Sequence, residues 1–385
     1  MSSQAYTPGL KRKEIFVVKK TRKLPIPGEV LVTKGDVVSQ DTIVARTSVQ
    51  GEPHVVKVAN DLDLNPDTEK TTPYMLRKLG DTVRKGEPIA IYKALLGLVK
   101  KVSLSPTDGT VEHISDLTGQ VIVRGPPIPV EVKAYMPGRV VEVVPNEGVV
   151  IQTTAALIQG IFGIGGETHG ELRVLSNTPD DILEPKQIAS EHRGKILVAG
   201  SLVTKDALAM AVKVGASGIV VGGIMDKDLI DFLGYEIGVA ITGQEEKGLT
   251  LILTEGFGKI RMLERTFQLL KRFEGKLVCM NGATQIRAGV VRPEIVIPRE
   301  DLSSTELVEV SGKASSSEMS AHDLKLGTPI RLIQKPHFGA LGKVTGLPVE
   351  LRRMKTESSV KVLEVELIDD GKIIVPRANV EIIEE

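Results

Sequence analysis

The stretch from residue 161 to residue 175 holds the residues of this chain that are most suggestive of chemistry. It reads IFGIGGETHGELRVL, in which paired glycines precede Glu167, Thr168 and His169. A histidine beside a carboxylate could move protons or carry a phosphoryl group. Either role needs a partner residue or a helix N-terminus, and the alternating residues that follow predict a strand instead. We therefore predict a hairpin turn with Glu167 and His169 at its tip, and no catalytic residue.

The remaining reactive side chains do not form a recognisable motif. The chain has six histidines, and none shows H-E-x-x-H or another metal-ligand spacing. Cys279 is the single cysteine, which excludes an internal disulfide and a cysteine zinc finger. We predict no metal site, and an enzyme is disfavoured without being excluded.

The composition is that of an ordinary globular protein without net charge. The 385 residues are 41% hydrophobic, and 49 basic residues balance 49 acidic ones, so no global field draws the molecule to nucleic acid or membrane. The absence of Trp and the 3% of aromatic residues disfavour base-stacking surfaces. The chain has no apolar run of about 18 residues and no signal-peptide core, so we predict a cytoplasmic protein without a membrane span.

The N-terminus is locally basic. Residues 1–24 contain seven Lys or Arg and one acid, Glu14. We predict a basic N-terminal arm over residues 1–24. It could contact phosphate, although a solvated, flexible terminus is the favoured interpretation.

The first half of the chain contains internal repeats. VTKGDVVSQDTIVA (32–45) aligns with RKLGDTVRKGEPIA (77–90), and DGTVEHISDLTGQVIV (108–123) aligns with PGRVVEVVPNEGVVIQ (137–152). Each unit reads as a short strand, a tight turn and a second short strand. This pattern is typical of small all-β modules.

These strings resemble the barrel-sandwich hybrid fold of biotinyl and lipoyl carrier domains, which also occurs in the C subunit of Rnf-type electron-transport complexes. The resemblance covers residues 25–175 and implies a duplicated barrel-sandwich β region. A carrier of this kind bears a modified lysine on a hairpin tip, usually between methionines. Lys93, Lys100 and Lys101 occupy that interval without a flanking Met, and the segment reads as apolar packing. We predict an unmodified structural module and no cofactor.

Residues 190–300 have a different pattern of apolar and polar residues. Buried-strand runs such as GKILVAG (194–200) and GIVVGGI (218–224) alternate with amphipathic segments such as TKDALAMAVKVGA (204–216) and LERTFQLLKRFEG (263–275). Alternation at this spacing predicts an α/β domain with a mainly parallel sheet.

Glycines follow several of these strands, where open α/β sheets usually bind ligands. A small metabolite could bind beside them, and the residues concerned are Gly200, Gly222, Gly223, Gly256 and Gly258. The chain has no P-loop, and acidic residues already fill the first turns of the following helices. Tight strand-to-helix turns are therefore the favoured interpretation, and the ligand site is the alternative.

The C-terminal residues LGTPIRLIQKPHFGALGKVTGL (326–347) combine alternating apolar positions with glycine turns. They resemble the KOW motif of SH3-like barrels in transcription elongation factors and ribosomal proteins. The resemblance implies a KOW-like SH3 barrel over residues 324–385, joined by a Ser-rich linker at 301–323.

The charge of this C-terminal segment is polarised. Residues 327–361 hold seven Lys or Arg against two acids, and residues 362–385 reverse that balance. The family implies contacts to nucleic acid from the basic part, through Lys335, Phe338, Lys343, Arg352, Arg353 and Lys355. An acidic edge that neutralises this surface would instead give a protein-binding barrel, and the sequence leaves both open.

These modules predict a multidomain protein: a duplicated barrel-sandwich β region, a central α/β domain and a C-terminal SH3-like β-barrel. We predict a non-catalytic binding or scaffold protein that docks to nucleic acid, or to a nucleic-acid machine, through the C-terminal barrel. The alternative is an enzyme or ligand sensor that uses the strand-end glycines. A subunit of an electron-transfer complex is a third option. The sequence identifies no ligand, partner or oligomeric state.

Overall fold

A computed structural model describes residues 10–94, 99–235, 247–284, 291–299, 324–332, 337, 340–348, 351–353, 359–367 and 371–384. The protein is rich in strands, most of which join one large mixed sheet, while smaller sheets of four, three and two strands lie beside it in these ranges. No helix in the described ranges is both long and apolar enough to cross a membrane.

The chain up to residue 159 is built almost entirely of short strands. Its elements are β1 (Leu10–Lys23), β2 (Glu29–Val30), β3 (Val37–Val38), β4 (Ile43–Val49), β5 (Pro53–Val56), α1 (Val58–Leu62), β6 (Thr82–Val83), β7 (Pro88–Ala94), β8 (Val99–Leu104), β9 (Gly109–Ser115), β10 (Gln120–Arg124), β11 (Ile128–Lys133), β12 (Gly138–Val144) and β13 (Gly148–Gln159).

The middle of the chain alternates strands and helices. Its elements are β14 (Phe162–Ile164), β15 (Glu167–Val174), β16 (Ile182–Leu183), β17 (Ile196–Val198), β18 (Leu202–Val203), α2 (Lys205–Val214), β19 (Gly218–Ile224), α3 (Asp226–Leu233), β20 (Thr250–Phe257), α4 (Glu264–Arg272), β21 (Leu277–Asn281) and β22 (Glu294–Pro298). The local signals are clear in α2, where the Thr204 hydroxyl accepts the Ala207 N–H at 3.2 Å and Gly215 ends the helix with φ +82°, as capping chemistry requires.

The C-terminal part is again all strands: β23 (Pro329–Leu332), β24 (Leu341–Gly346), β25 (Leu351–Arg353), β26 (Ser359–Leu367), β27 (Gly371–Pro376) and β28 (Val380–Glu384). They pair antiparallel as a half-barrel, in the order β27–β26–β24–β23–β28, with β25 also paired to β26. Alternate residues of these strands, including Ile330, Val344 and Val365, form a separate small core.

The internal repeats have the same local structure. The Asp36 carboxylate accepts the Thr33 N–H at 2.8 Å, and the Asp81 carboxylate accepts the Lys78 N–H at 2.7 Å. The intervening Gly35 and Gly80 have φ +101° and +88°, a conformation that favours glycine. The two turns thus share the same side-chain hydrogen bond and the same backbone conformation.

Each Gly-Asp turn packs against one segment of the second repeat pair: the turn at Gly35 against residues 137–152, and the turn at Gly80 against residues 108–123. Gly35 donates its N–H to the Val140 carbonyl and Gly80 donates to the Val111 carbonyl, each at 2.8 Å. Correspondingly, β3 pairs with β12, and β6 pairs with β9. One copy therefore consists of β2–β4 with β11, β12 and the start of β13, which we call the outer module.

The other copy is inserted into the sequence of the outer module, between β4 and β11. This inserted module, residues 53–124, has its own core, which includes Val83, Val111 and Val123. Its two ends meet, since the Gly125 N–H donates to the Glu52 carbonyl at 2.9 Å. The inserted module thus leaves and rejoins the outer module at one point.

The central strands pair largely in parallel. β15, β17, β19 and β20 are joined by parallel ladders, whereas β14 and β21 pair antiparallel with β20 and β15. Ile219 and Val221 face the core shared with α2 and α3, and Val220 faces the core shared with α4. Strands and helices alternate in this part of the chain, and β21 and β22 continue the sheet into β13, which makes the whole sheet mixed.

The N-terminal segment differs from the favoured interpretation. Residues 10–23 form β1, which pairs antiparallel with nearly the full length of β13. Val18 is buried in the core of the outer module. The interpretation as a solvated, flexible terminus is wrong for these residues, because alternate apolar side chains between the lysines give the strand a buried face.

Candidate functional site

His169 lies inside strand β15, opposite Cys279 of β21. The turn that precedes it is made by Gly165 and Gly166, with φ +94° and +66°. The prediction that Glu167 and His169 form a hairpin tip is therefore wrong, because the two glycines complete the turn before the strand begins.

His169 also has a partner that the sequence did not suggest. Its Nε2 lies 3.2 Å from Oδ2 of Asp41, in the turn before β4. The other carboxylate oxygen of Asp41 accepts a hydrogen bond from the Lys133 ammonium at 3.0 Å. The Lys133 hydrogen bond, followed by the charge of His169, lowers the pKa of Asp41, so this carboxylate is ionised and orients the imidazole ring.

A second charged pair joins the outer module to the central sheet. The guanidinium of Arg22 in β1 donates two hydrogen bonds to the Glu167 carboxylate, at 2.6 and 2.8 Å. Its Nε donates to the Lys133 carbonyl at 2.7 Å, and the guanidinium lies 5.6 Å from the centre of the Tyr135 ring. Arg22 thus uses its planar donors to fix β1, β11 and β15 relative to one another.

Tyr135 lies beneath this arrangement in a rare backbone conformation. It has φ +74° and is buried, and its hydroxyl lies 3.3 Å from the Glu294 carboxylate, which also accepts from the Lys20 ammonium at 2.6 Å. Burial, followed by the charge of Glu294, raises the pKa of Tyr135. A non-glycine residue held at positive φ costs free energy and is more common at functional sites than elsewhere.

A cavity of about 750 Å³, which we call the His169 cleft, is lined by the side chains described above other than Lys20 and Glu294: Arg22, Asp41, Lys133, Tyr135, Glu167 and His169. No group of three or more histidine, cysteine or acidic side chains in the described ranges is arranged to hold a metal ion. Cys279 is buried behind the cleft, and burial raises its pKa to about 12. Its thiol therefore stays protonated and is not a nucleophile at neutral pH.

The strand-end glycines lie where the chain's own backbone fills the space. A Cβ on Gly222 would lie 2.2 Å from the Ile260 carbonyl oxygen, and one on Gly223 would lie 2.2 Å from that of Gly258. A Cβ on Gly200 would meet backbone atoms of Asp181 at 2.6 and 2.8 Å. Close packing of the loops explains these three glycines, whereas the ligand site predicted at the five strand-end glycines stays a prediction.

The predicted carrier lysines lie on the hairpin of β7 and β8. Lys93 and Lys100 are directly opposite each other and exposed, while Lys101 forms an ion pair with Asp63. Lys93 and Lys100 face solvent, whereas Ile89 and Ala90 of the same segment are buried, so apolar packing describes the start of the segment and not these two lysines.

Of the predicted nucleic-acid residues, the structure describes Lys343, Arg352 and the backbone of Arg353, which lie on two different strands. Lys343 is exposed on β24 opposite Glu366, and Arg352 is exposed on β25 opposite Val360. Those partners are six positions apart on β26, which separates the backbone positions of the two cations by roughly 20 Å along the strand. Arg353 belongs to the same strand as Arg352, while Lys335, Phe338 and Lys355 lie outside the described residues.

Lys343 instead faces helix α4 across a second cleft, of about 550 Å³, which we call the barrel cleft. Its cations are Arg12 of β1, Arg261 just before α4, Arg265 in the first turn of α4, and Lys343; its acids are Glu264 and Glu366. An adjoining depression shares Arg12 and Arg265 and adds Arg272. The two depressions share a wall formed by Arg12 and Arg265, and together we call them the groove; it is lined by five cations and by the three acids Glu14, Glu264 and Glu366.

The helical part of this groove was not predicted from the sequence. Arg265, Gln268 and Arg272 are spaced by three and four residues, which places them along one side of α4, and Arg261 lies in the non-helical segment three residues before the helix begins. Arg265 is exposed, Arg261 pairs with Asp180 and Glu264, and Arg272 pairs with Glu14. The spacing was visible in RMLERTFQLLKR (261–272) as a basic stripe opposite the buried Phe267 and Leu270.

A buried ion pair fixes the C-terminal half-barrel beside this groove. Arg331 of β23 and Glu255 of β20 are both almost fully buried and form an ion pair, and Arg331 also donates to the Thr254 carbonyl at 3.1 Å. β28 pairs in parallel with the start of β1 through Leu10 and Ile383. These contacts hold Lys343 opposite α4.

No protein-family model matches this chain, and no curated protein matches it.

Proposed function

We propose that this protein is a non-catalytic scaffold that binds the phosphate backbone of a nucleic acid in the groove between α4 and the C-terminal half-barrel. The observation that carries the proposal is the basic side of α4, which continues across the barrel cleft to Lys343. The resemblance of residues 324–385 to KOW-containing SH3-like barrels agrees with this use of the half-barrel.

The groove suits backbone contact rather than base readout. Its cations are long, mostly exposed side chains, and among the described residues its lining contains no aromatic side chain on which a base could stack. Phosphate contacts fix the register of a nucleic acid without reading sequence. We therefore propose binding with little sequence preference.

The balance of charges in the groove sets its strength. Two of the arginines, Arg261 and Arg272, already pair with acids, and such solvent-exposed pairs contribute little to stability. A phosphate can therefore replace the carboxylate partner at little cost.

We propose a cytoplasmic location, as the sequence predicts. The cytoplasm is a reducing compartment, and the single cysteine of this chain is free and buried.

The test is the salt dependence of binding by the full chain to a double-stranded DNA and to a single-stranded RNA of mixed sequence. Replacing Arg261, Arg265 and Arg272 together by Gln should weaken binding at every sequence and flatten the plot of log K against log salt by about two to three units of slope. The matched control replaces Lys186, Lys213 and Lys227 by Gln, which removes three exposed charges away from the groove. Equal losses in the two variants, or no binding of either nucleic acid at low salt, would overturn the proposal.

A further inference from the structure

We propose that the His169 cleft binds a small polar zwitterion of the amino-acid class, with its ammonium group at Glu131 and its carboxylate at Lys133. This site is independent of the groove at α4. The inference rests on which lining groups already have partners and which retain bonding capacity.

The lining is polar and balanced in charge. Val132 is its single aliphatic side chain, and the Tyr135 ring is covered by Arg22. The charged members number three of each sign: Arg22, Lys23 and Lys133 against Asp41, Glu131 and Glu167. Such a lining favours neither an apolar ligand nor a polyanion. It suits a ligand that carries both charges.

Most of these charges are already paired. Arg22 binds Glu167 through both carboxylate oxygens, and Lys23 pairs with Glu147 at 2.5 Å. Asp41 is shared by Lys133 and His169. The partners Glu147 and Asp41 lie in turns and Glu167 lies on β15, so these charged groups are already engaged by other segments of the chain.

Glu131 and Lys133 retain bonding capacity. Glu131 is exposed and forms no ion pair within the described ranges, since Arg46 opposite it pairs with Glu29. The Lys133 ammonium has three N–H donors and spends one on Asp41. A carboxylate acceptor and an ammonium donor therefore both face the cleft with room for a ligand.

The spacing of these two residues matches a short zwitterion. They are two positions apart on β11, so they point to the same face with Cα atoms roughly 7 Å apart. Long side chains at that separation reach the two ends of one small molecule. The imidazole of His169, turned by Asp41 at Nε2, leaves Nδ1 for a polar ligand side chain.

The floor of the cleft is built for a fixed shape. Tyr135 is held at φ +74° above the buried contact of its hydroxyl with Glu294. Strain of this kind persists only where the surrounding contacts enforce it. A preorganised floor reduces the ordering that binding would otherwise require.

The experiment is calorimetric titration of the full chain with glycine, serine and glutamine. The matched probes are the N-acetyl and the carboxamide forms of whichever amino acid binds most tightly, each of which lacks one charge. We expect each capped form to bind at least about tenfold more weakly, as loss of a charged hydrogen bond implies. Saturable binding that is indifferent to both caps would overturn the proposal, as would no binding of any of the three.

The variants Glu131→Gln and Lys133→Met assign the two ends. Glu131→Gln should weaken binding of the free amino acid and abolish the difference in affinity between the free and the N-acetyl form. Lys133→Met should weaken binding of the free amino acid and abolish the difference between the free and the carboxamide form. The controls Glu142→Gln and Lys34→Met change exposed charges that do not line the cleft and should leave the titration unchanged. An effect on only one of the two ends would also overturn the assignment of a zwitterion.

Discussion

At the scale of single residues, Asp41 connects three parts of the fold. Its carboxylate holds Lys133 of β11 and His169 of β15 from the turn before β4. Because this arrangement lowers the pKa of Asp41, the group titrates at a lower pH in the folded protein than in the unfolded chain. Its contribution to stability is therefore present above the unfolded pKa of about 4 and is lost as the pH falls through the folded pKa.

We predict that the carboxyl carbon of Asp41, followed by nuclear magnetic resonance, titrates below the model-peptide value of about 3.9. Lys133→Met should move the midpoint upward, because it removes the largest cause of the shift. In parallel, Asp41→Asn should lower the free energy of unfolding by about 0–1 kcal/mol at neutral pH, since the group is half-exposed. The prediction fails if the difference between Asp41→Asn and wild type grows as the solution is acidified.

Asp41 also shows why the site was not predicted from the sequence. The residue types around His169 were visible, but its partner is more than a hundred positions earlier in the chain and belongs to a repeat that reads as purely structural. Pairing of β15 with β21, and packing of the outer module onto that sheet, bring the two together. Such a juxtaposition depends on tertiary packing and leaves no local pattern.

At the scale of elements, the repeated turns at Gly35 and Gly80 offer a matched pair of experiments. Both glycines have positive φ, and a Cβ on either would meet no atom within 4 Å. Substitution therefore probes backbone conformation without a steric clash.

We predict that Gly35→Ala and Gly80→Ala each lower the free energy of unfolding of their own module by about 1–2 kcal/mol. Chemical denaturation followed by probes in each module would measure the two values. The controls Lys34→Ala and Leu79→Ala change the exposed residues just before each glycine and should stay within about 0.5 kcal/mol of wild type. Two glycine variants with clearly different costs would mean that the turns are not equivalent.

Local elements were largely predictable and their assembly was not. The helix at 204–216, the alternation of strands and helices and the repeated Gly-Asp turns all follow from short-range capping, periodicity and turn chemistry. The strand β1 was missed because its lysines dominate the composition, although Leu10 and Val18 are buried. Which repeat packs against which depends on pairings between distant segments, so the insertion of one module in the other was not foreseen.

At the scale of the whole molecule, the inserted module is separable. Its core draws on residues between Val56 and Val123 alone, and its ends meet beside Gly51, whose Cβ would lie 2.3 Å from the carbonyl oxygens of Gly125 and Pro126. A unit with its own core and adjacent ends is expected to fold alone.

We predict that a fragment of residues 52–125 folds with a strand-rich far-ultraviolet circular dichroism spectrum and a cooperative thermal transition. The complementary protein, in which a short glycine linker joins residues 51 and 126, should keep the remaining fold. The same fragment carrying Val111→Asp serves as the control, since a buried, unpaired carboxylate at that core position should abolish the transition. A wild-type fragment without a cooperative transition would show that the module depends on its surroundings.

The pairing of β1 with both β13 and β28 has a consequence for biosynthesis. β13 follows β1 early during translation, but Ile383, the partner of Leu10, is added only after nearly all of the described chain. At about 5–20 residues per second, one end of β1 therefore waits tens of seconds with its backbone hydrogen-bonding groups unpaired, while the rest of the strand is already held in the sheet. Its lysines and arginines then act as a safeguard on the nascent chain, because charged edges resist pairing with strands of other chains.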